Sequence, residues 1–460
     1  MDEINYYKDN ISERLKGQVI IDDESYAAEL FINVDEIKIR LFDFNSKINR
    51  TYIEMMSLHS LVFQKGNGQY LLFGLKLNES SFMTIGTNES FDDYTFFAQG
   101  FLYSEGELKN NTLFANLSIY GENIKKWSGY TRKLDKIIEC GIGNKLPDKE
   151  DCVEFEKDIP SVGAIGLYYS YRYGGLNGLH TVGMSVEPHV TITFETPICL
   201  DKLIEHYIDL YMILRFFIGS PLMISNVKTQ NCSDYGRNYT QFYLAEKKEG
   251  KRAIDISMLL PYSTIYRDDS ENSFPESVWE NYYNPKNNEI KELIKKYMTY
   301  SMIHDNEEKF LGFYRIIEIM TAKKSCYVDA ERLSNLLKRS RKLLAKEFPS
   351  TSLSEFFRAI KRANKSKQNT ESCIHHFIKN LPEIVVERLN IKDINISEIC
   401  NSRNKIIHQP LFLETPEKIY KHMNTTEELT KLALLIRLGI PEPTLEEIIN
   451  HNLPQFINTP

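Results

Sequence analysis

The sequence predicts an α+β, multidomain fold: an N-terminal antiparallel β-rich domain over residues 1–284, then an all-α helical bundle over residues 285–460. Three observations predict it. Short β-branched and aromatic runs, bounded by Asp, Asn, Ser and Gly, succeed one another from about residue 16. Beyond Pro285 they give way to apolar residues recurring at helical spacing. The charge balance also changes sign. Residues 285–460 carry 28 Lys and Arg against 22 Asp and Glu, and residues 1–284 carry 28 against 41.

The first strands are expected at residues 17–22, 28–33 and 36–42. In the third, Ile37, Ile39 and Leu41 alternate with Lys38 and Arg40, the period of a half-buried antiparallel strand. Residues 52–63, 70–77, 94–103 and 113–120 continue the series, and strands so spaced predict a sandwich or barrel. Residues 123–129 read as one helical turn closed by Gly129. Its Trp127 is either a plug for the end of the β core or a stacking platform. Strands resume at 153–159, 164–171 and 189–194. The glycine-rich stretch 173–183 lacks GK[ST] and opens no helix, so it reads as a hairpin loop rather than a phosphate cradle. From Asp201 to Ile218 the period is helical and strongly apolar, with Gly219-Ser220-Pro221 as a stop, which suits a helix near 201–219 buried against the sheet. β patterning returns at 222–227, 241–244 and 254–257.

In the C-terminal part, helices are expected at 290–302, 306–322, 330–348, 353–363, 375–379, 382–389, 416–438 and 444–451. Phe310, Phe313, Tyr314, Ile317 and Met320 make one stripe. Glu318 flanks it, either as a solvated residue or as a pocket acid. Such short helices need each other's apolar faces, hence a bundle.

Much chemistry is excluded. The seven cysteines are scattered with no CxxC pair, HExxH and EF-hand spacings are missing, and adjacent His375 and His376 would point to different helix faces. No GxSxG, Walker or kinase signature occurs. No apolar run approaches the roughly 18 residues of a membrane span. The acidic start Met1-Asp2-Glu3-Ile4 has no leader pattern. A cytoplasmic protein without membrane partner, metal or cofactor is expected.

Two stretches remain. Between Lys323 and Lys367 thirteen basic residues face four acidic ones, peaking at Lys338, Arg339, Arg341 and Lys342 and at Lys361 and Arg362. This is either a solvated face or a surface that draws a polyanion such as RNA by counterion release. The second stretch, Ile399 to Pro410, reads as an amphipathic helix with Ile399, Cys400, Ile406 and Ile407 on its apolar face and Pro410 as its stop. It carries Arg403, whose planar fork suits phosphate, and His408, a side chain able to give and take a proton. At about 100° per residue the two stand about 140° apart and do not share a face. Asn404 and His408, four apart, do, which suits Asn404 to orient the imidazole. Arg403 reaches the same site only by its length, from a helix end, or from a second subunit across a two-fold interface. In such a cleft His408 would move the proton of a ribose 2′-hydroxyl or of the leaving oxygen, while Arg403 stabilises the charged phosphorane.

Arg403-Asn404-Lys405-Ile406-Ile407-His408 resembles the HEPN ribonuclease motif, in which Arg is followed by four to six residues and His. The helix carrying Phe310-Leu311 and Ile316-Ile317-Glu318 is similar to the first helix of that bundle. Three features resemble the domain preceding the bundle in ApeA-type anti-phage proteins: the Lys16-Gly17-Gln18-Val19-Ile20-Ile21 strand, the Ile124-Lys125-Lys126-Trp127 turn, and Leu214-Arg215-Phe216-Phe217-Ile218-Gly219 closing a helix. The resemblance implies a metal-independent endoribonuclease, a dimer or dimer of dimers through its HEPN domains. It implies a role in abortive infection, with the N-terminal domain sensing a phage-derived trigger or restraining the nuclease. It also leaves open a non-catalytic HEPN scaffold that binds RNA or protein.

Overall fold

The computed structural model describes residues 7 and 11–451, apart from 22–23, 45–59, 86–88, 144, 176–181, 234–235, 246–257, 263–273, 324–325, 366–368, 392–393 and 409–413. The chain divides into two compact units, Met1–Trp279 and Glu280–Pro460.

The described residues of the first unit form fourteen strands and three helices. In chain order they are β1 (Ser12–Ile21), β2 (Glu24–Asn33), β3 (Ile37–Phe44), β4 (Ser60–Lys65), β5 (Gly68–Phe73), β6 (Lys76–Ile85), β7 (Glu89–Ala98), β8 (Gly100–Ser104) and β9 (Phe114–Gly121). Then come α1 (Glu122–Ser128), α2 (Arg132–Ile142), β10 (Val153–Ile159), β11 (Gly163–Gly175), β12 (Val182–Ile198), α3 (Leu200–Ile218), β13 (Ile224–Ser233) and β14 (Gly236–Leu244). All the strands are joined in one antiparallel sheet, in the order β10-β11-β12-β9-β13-β14-β8-β5-β4-β1-β2-β3-β7-β6. The alternation read in β3 is present, with Ile37, Ile39 and Leu41 buried and Arg40 exposed. Register pairs such residues across strands, Leu15 with Leu30 and Val19 with Phe63.

This departs from the expectation of a sandwich or barrel: the described strands form one sheet, with β10 and β6 at the ends of its order. Fourteen twisted strands cannot stay flat. The sheet rolls over a core holding Leu15, Leu30, Ile39, Phe63, Phe101 and Tyr243. The Tyr243 hydroxyl of β14 donates to the Val34 carbonyl at the β2–β3 turn over 3.2 Å, although four strands separate β14 from β2 in the order. Residues 94–103 are two strands, broken at Gln99, and β6 and α2 were not expected from the sequence. Expected strand 254–257 lies outside the described residues, as does most of the 173–183 loop, whose flanking strands pair out to Gly175 and Val182.

α3 is buried along most of its length and ends at Gly219, whose φ of 75° is the left-handed cap conformation that glycine adopts without strain. Trp127 on α1 is fully buried and donates from Nε1 to the Leu260 carbonyl over 2.8 Å among Phe217, Tyr262 and Phe274. It is therefore a plug and not a stacking platform. A short helix, α4 (Ser277–Tyr283), spans the division between the units.

The described part of the second unit is helical after α4: α5 (Asn288–Ser301), α6 (Asn306–Thr321), α7 (Ala330–Leu344), α8 (Ser350–Lys365), α9 (Thr370–Lys379), α10 (Glu383–Arg388), α11 (Ile396–His408), α12 (Pro416–Arg437) and α13 (Glu442–His451). Its centre is the pairing of α6 with α12, where Phe310, Phe313, Tyr314 and Ile317 of the α6 stripe are buried and Thr430 Oγ1 lies 3.2 Å from the Phe313 carbonyl oxygen. Gly312 lets α5 close on α6, since a Cβ there would stand 2.4 Å from the Tyr300 ring. α7 and α8 form a hairpin that buries Leu337 and Leu353 but leaves Leu336, Leu343, Phe348 and Phe356 exposed. Among the described residues no helix is long and apolar enough to cross a membrane.

Candidate active site

Helix α11 begins buried and ends exposed. Ile396, Ile399, Cys400 and Ser402 pack inward, whereas Asn404, Lys405 and His408 face solvent and Ile407 is 48% exposed. The apolar face expected from the sequence is thus covered at its first half only.

Arg403 lines a hollow of about 490 Å³ with Tyr300, Gly312, Tyr314, Glu318 and Ile407. Its guanidinium lies over the Tyr314 ring, 5.5 Å from the centroid, a cation–π arrangement. Nη2 stands 3.9 Å from Glu318 Oε2, and Nη1 donates to Asn404 Oδ1 over 3.0 Å. Glu318 is braced in turn, since its Oε1 accepts from Thr370 Oγ1 over 3.1 Å. Below the guanidinium the Tyr314 hydroxyl donates to Cys400 Sγ over 3.3 Å. Burial first, and the bond to Cys400 second, push the Tyr314 hydroxyl far above its ordinary pKa, and burial raises the Cys400 thiol. Both stay protonated at neutral pH, which fits them as a floor rather than as nucleophiles.

His408 lines a different hollow, of about 500 Å³, with Asn404, Lys405, Glu398, Glu414 and Lys418. Lys418 Nζ bonds Glu398 over 2.7 Å and Glu414 Oε2 over 2.9 Å, while Lys405 Nζ stands 3.3 Å from Glu414 Oε1. The hydrogen bond from Lys418, helped by that from Lys405, holds the Glu414 carboxyl below its ordinary range, so it is an anion at neutral pH.

Arg403 and Glu318 are brought together, and so are Asn404 and His408, but Arg403 and His408 open into separate hollows of one chain, as their angular offset requires. Asn404 gives its amide oxygen to Arg403 and makes no hydrogen bond with His408. Lys338, Arg339, Arg341 and Lys342 on α7 and Lys361 and Arg362 on α8 are exposed and line neither hollow. Sequence reasoning missed Tyr314, Thr370, Lys405, Glu414 and Lys418 as residues of the site. Tyr314 had a signal, four residues before Glu318 on the same helix face, and so had the Glu414–Lys418 pair at the same spacing. Among the described residues no three His, Cys, Asp or Glu side chains group so as to hold a metal ion.

The family model described as ApeA N-terminal domain 1 matches residues 16–276, and the one described as Apea-like HEPN matches residues 311–444, which include Glu318, the basic hairpin and the whole Arg403–His408 segment. No curated protein and no solved structure matches the chain. The first match alone spans more than half of the chain, so the protein belongs to the ApeA family, with an ApeA-type β unit followed by an Apea-like HEPN domain.

Proposed function

We propose that this protein is a metal-independent endoribonuclease of anti-phage defence, working as a homo-oligomer in which two copies of α11 meet. The observation that carries this reading is the division of α11: Arg403 and His408 leave its solvent-exposed end in different directions, each into its own hollow. This arrangement favours a site completed by a second chain over one built within a single chain. A two-fold pairing of that exposed end, centred on the uncovered Ile407, sets the Arg403 of one copy beside the His408 of the other.

In that cleft His408 accepts the 2′-hydroxyl proton or returns one to the leaving 5′-oxygen, a role worth about 10²–10⁴-fold in rate. Arg403 binds the oxygens that gain charge in the phosphorane. Glu318 and Tyr314 hold the guanidinium in place before substrate arrives. At 3.9 Å, between groups about a quarter exposed, that ion pair is worth on the order of 1 kcal/mol or less, so a phosphate accepting two guanidinium hydrogen bonds displaces it readily. The exposed basic hairpin α7–α8 supplies sequence-independent attraction for RNA.

A second reading has its own observation. Arg403 is already engaged within its own chain, by Glu318, Tyr314 and Asn404, as a residue that shapes a binding scaffold would be. RNA cleavage in EDTA separates the two. Arg403→Ala and His408→Ala are expected to lower the rate by at least 10²-fold at unchanged oligomer mass, and the parent's products should end in a 2′,3′-cyclic phosphate. A 5′-phosphate product rules out the 2′-hydroxyl route. A parent that cleaves no RNA, with or without phage infection of its host, establishes the scaffold.

A further inference from the structure

The hollow around His408 contains more charge than its proposed chemistry uses. Lys405 lies three residues before His408 on α11, and Lys418 faces it from the first turn of α12. Between them stands Glu414, with one carboxylate oxygen on each ammonium: Oε1 at 3.3 Å from Lys405 and Oε2 at 2.9 Å from Lys418. The Glu414 side chain is only 12% exposed, whereas those of Lys405 and Lys418 are 49% and 33% exposed. A mostly covered anion thus bridges two cations that both reach water. Glu414 also directly precedes Thr415, the N-cap of α12, where the positive end of the helix favours an anion.

An anion presenting two oxygens to two ammonium groups, one short helical step from a histidine, is placed as the non-bridging oxygens of a phosphodiester would be. The hollow, at about 500 Å³, is larger than one phosphate needs and has room for a nucleotide. Its formal charges cancel, two lysines against Glu398 and Glu414, so the free chain offers no net attraction at that point until a carboxylate gives way.

We propose that Lys405 and Lys418 form a phosphate subsite of single-stranded RNA beside His408, and that Glu414 occupies it in the unbound chain as an internal competitor. The inference rests on the ribonuclease reading for its substrate. It assigns the nucleotide next to the cleaved bond to the His408 hollow, and it makes RNA entry an exchange of a carboxylate for a phosphate on the same two lysines. The reverse exchange, after cleavage, helps product leave.

The test measures binding apart from cleavage. The full-length chain is titrated into a fluorescein-labelled RNA of about a dozen nucleotides carrying 2′-O-methyl groups throughout, which no 2′-hydroxyl mechanism can cut, at several salt concentrations. Lys405→Gln with Lys418→Gln is expected to raise Kd at least about tenfold and to flatten the slope of log K against log salt by about 0.7 for each lysine–phosphate pairing removed. Glu414→Gln, which keeps the shape and removes the competing charge, is expected to lower Kd about fivefold. That gain cannot come from misfolding, so it guards against a lysine variant that fails to fold. A Glu414→Gln protein that binds no tighter than the parent overturns the proposal, and so does a folded double lysine variant with the parent's Kd and salt slope. If the parent cuts no RNA while these Kd shifts are present, the ribonuclease reading falls and the phosphate subsite stands.

Discussion

Glu318 shows what a single flank residue contributes. It sits on the edge of a helix whose other face is core, and there it bonds Thr370 and faces Arg403 at the limit of an ion pair. On the ribonuclease reading proposed above, its place beside Arg403 makes it a positioning residue for the guanidinium. Glu318→Gln retains the acceptor for Thr370 and removes the charge. It is expected to lower kcat about tenfold with KM nearly unchanged, because Arg403 is then less often aligned when charge develops on the phosphorane. Steady-state kinetics on a defined RNA check this, and a parent-like kcat would make Glu318 a bystander. At this scale the sequence was informative about angular placement around a helix. The separation of Arg403 from His408 follows from their spacing alone. The engagement of Asn404 with Arg403 does not, because it depends on side-chain torsions, and the Glu398–Lys418 bond joins two helices that the sequence does not register against each other.

Among the elements, β12 carries a titratable group whose setting has a measurable effect. His189 is stacked on Tyr120 at 4.4 Å, bonds Ser170 through Nδ1 at 3.1 Å, and is held by burial, with Lys228 adding to the effect, at a pKa of about 4 instead of 6.5. A depressed histidine binds its proton in the unfolded chain first. Its contribution to stability is therefore complete above about pH 6.5 and is lost as pH falls toward 4. The loss is on the order of 3 kcal/mol at most. Urea unfolding at about pH 7.5 and about pH 4.5 should show a smaller acid penalty in His189→Phe than in the parent, and equal penalties would refute the assignment. The elements themselves were legible to different degrees. β1, β2 and β3 were visible because one face is core and the other solvent. β6 was not, since its described side chains from Lys76 to Ser81 are all exposed and show no alternation. The break at Gln99 was hidden because the strands on either side of it are both apolar, and α2 escaped because it buries little beyond Ile137.

For the molecule as a whole, the charge asymmetry and the division at residue 279 belong together. Each unit has a core of its own, the rolled sheet in one and the α6–α12 pair in the other. Residues 280–460 are accordingly expected to fold alone. If the acidic β unit restrains the basic helical one, that fragment will be more toxic on expression, or cut RNA faster, than the full chain. Equal or lower activity from a folded fragment argues against restraint. The order of the large sheet was beyond sequence reasoning for a physical reason: β9, β13 and β14 join strands distant in the chain, and such pairings leave no local trace.

The open ends of that sheet govern how crowded copies behave toward one another. An edge strand offers unpaired N–H and C=O groups to any extended neighbour and is the usual starting point of fibre growth. Here β10 reads Val-Glu-Phe-Glu-Lys-Asp-Ile, and β6 opens with exposed Lys76 and Glu79. Two copies meeting through β10 would bring Glu154, Glu156 and Asp158 of one against acidic residues of the other in many registers. The acidic edge of β10 thus disfavours edge-to-edge pairing of two β units.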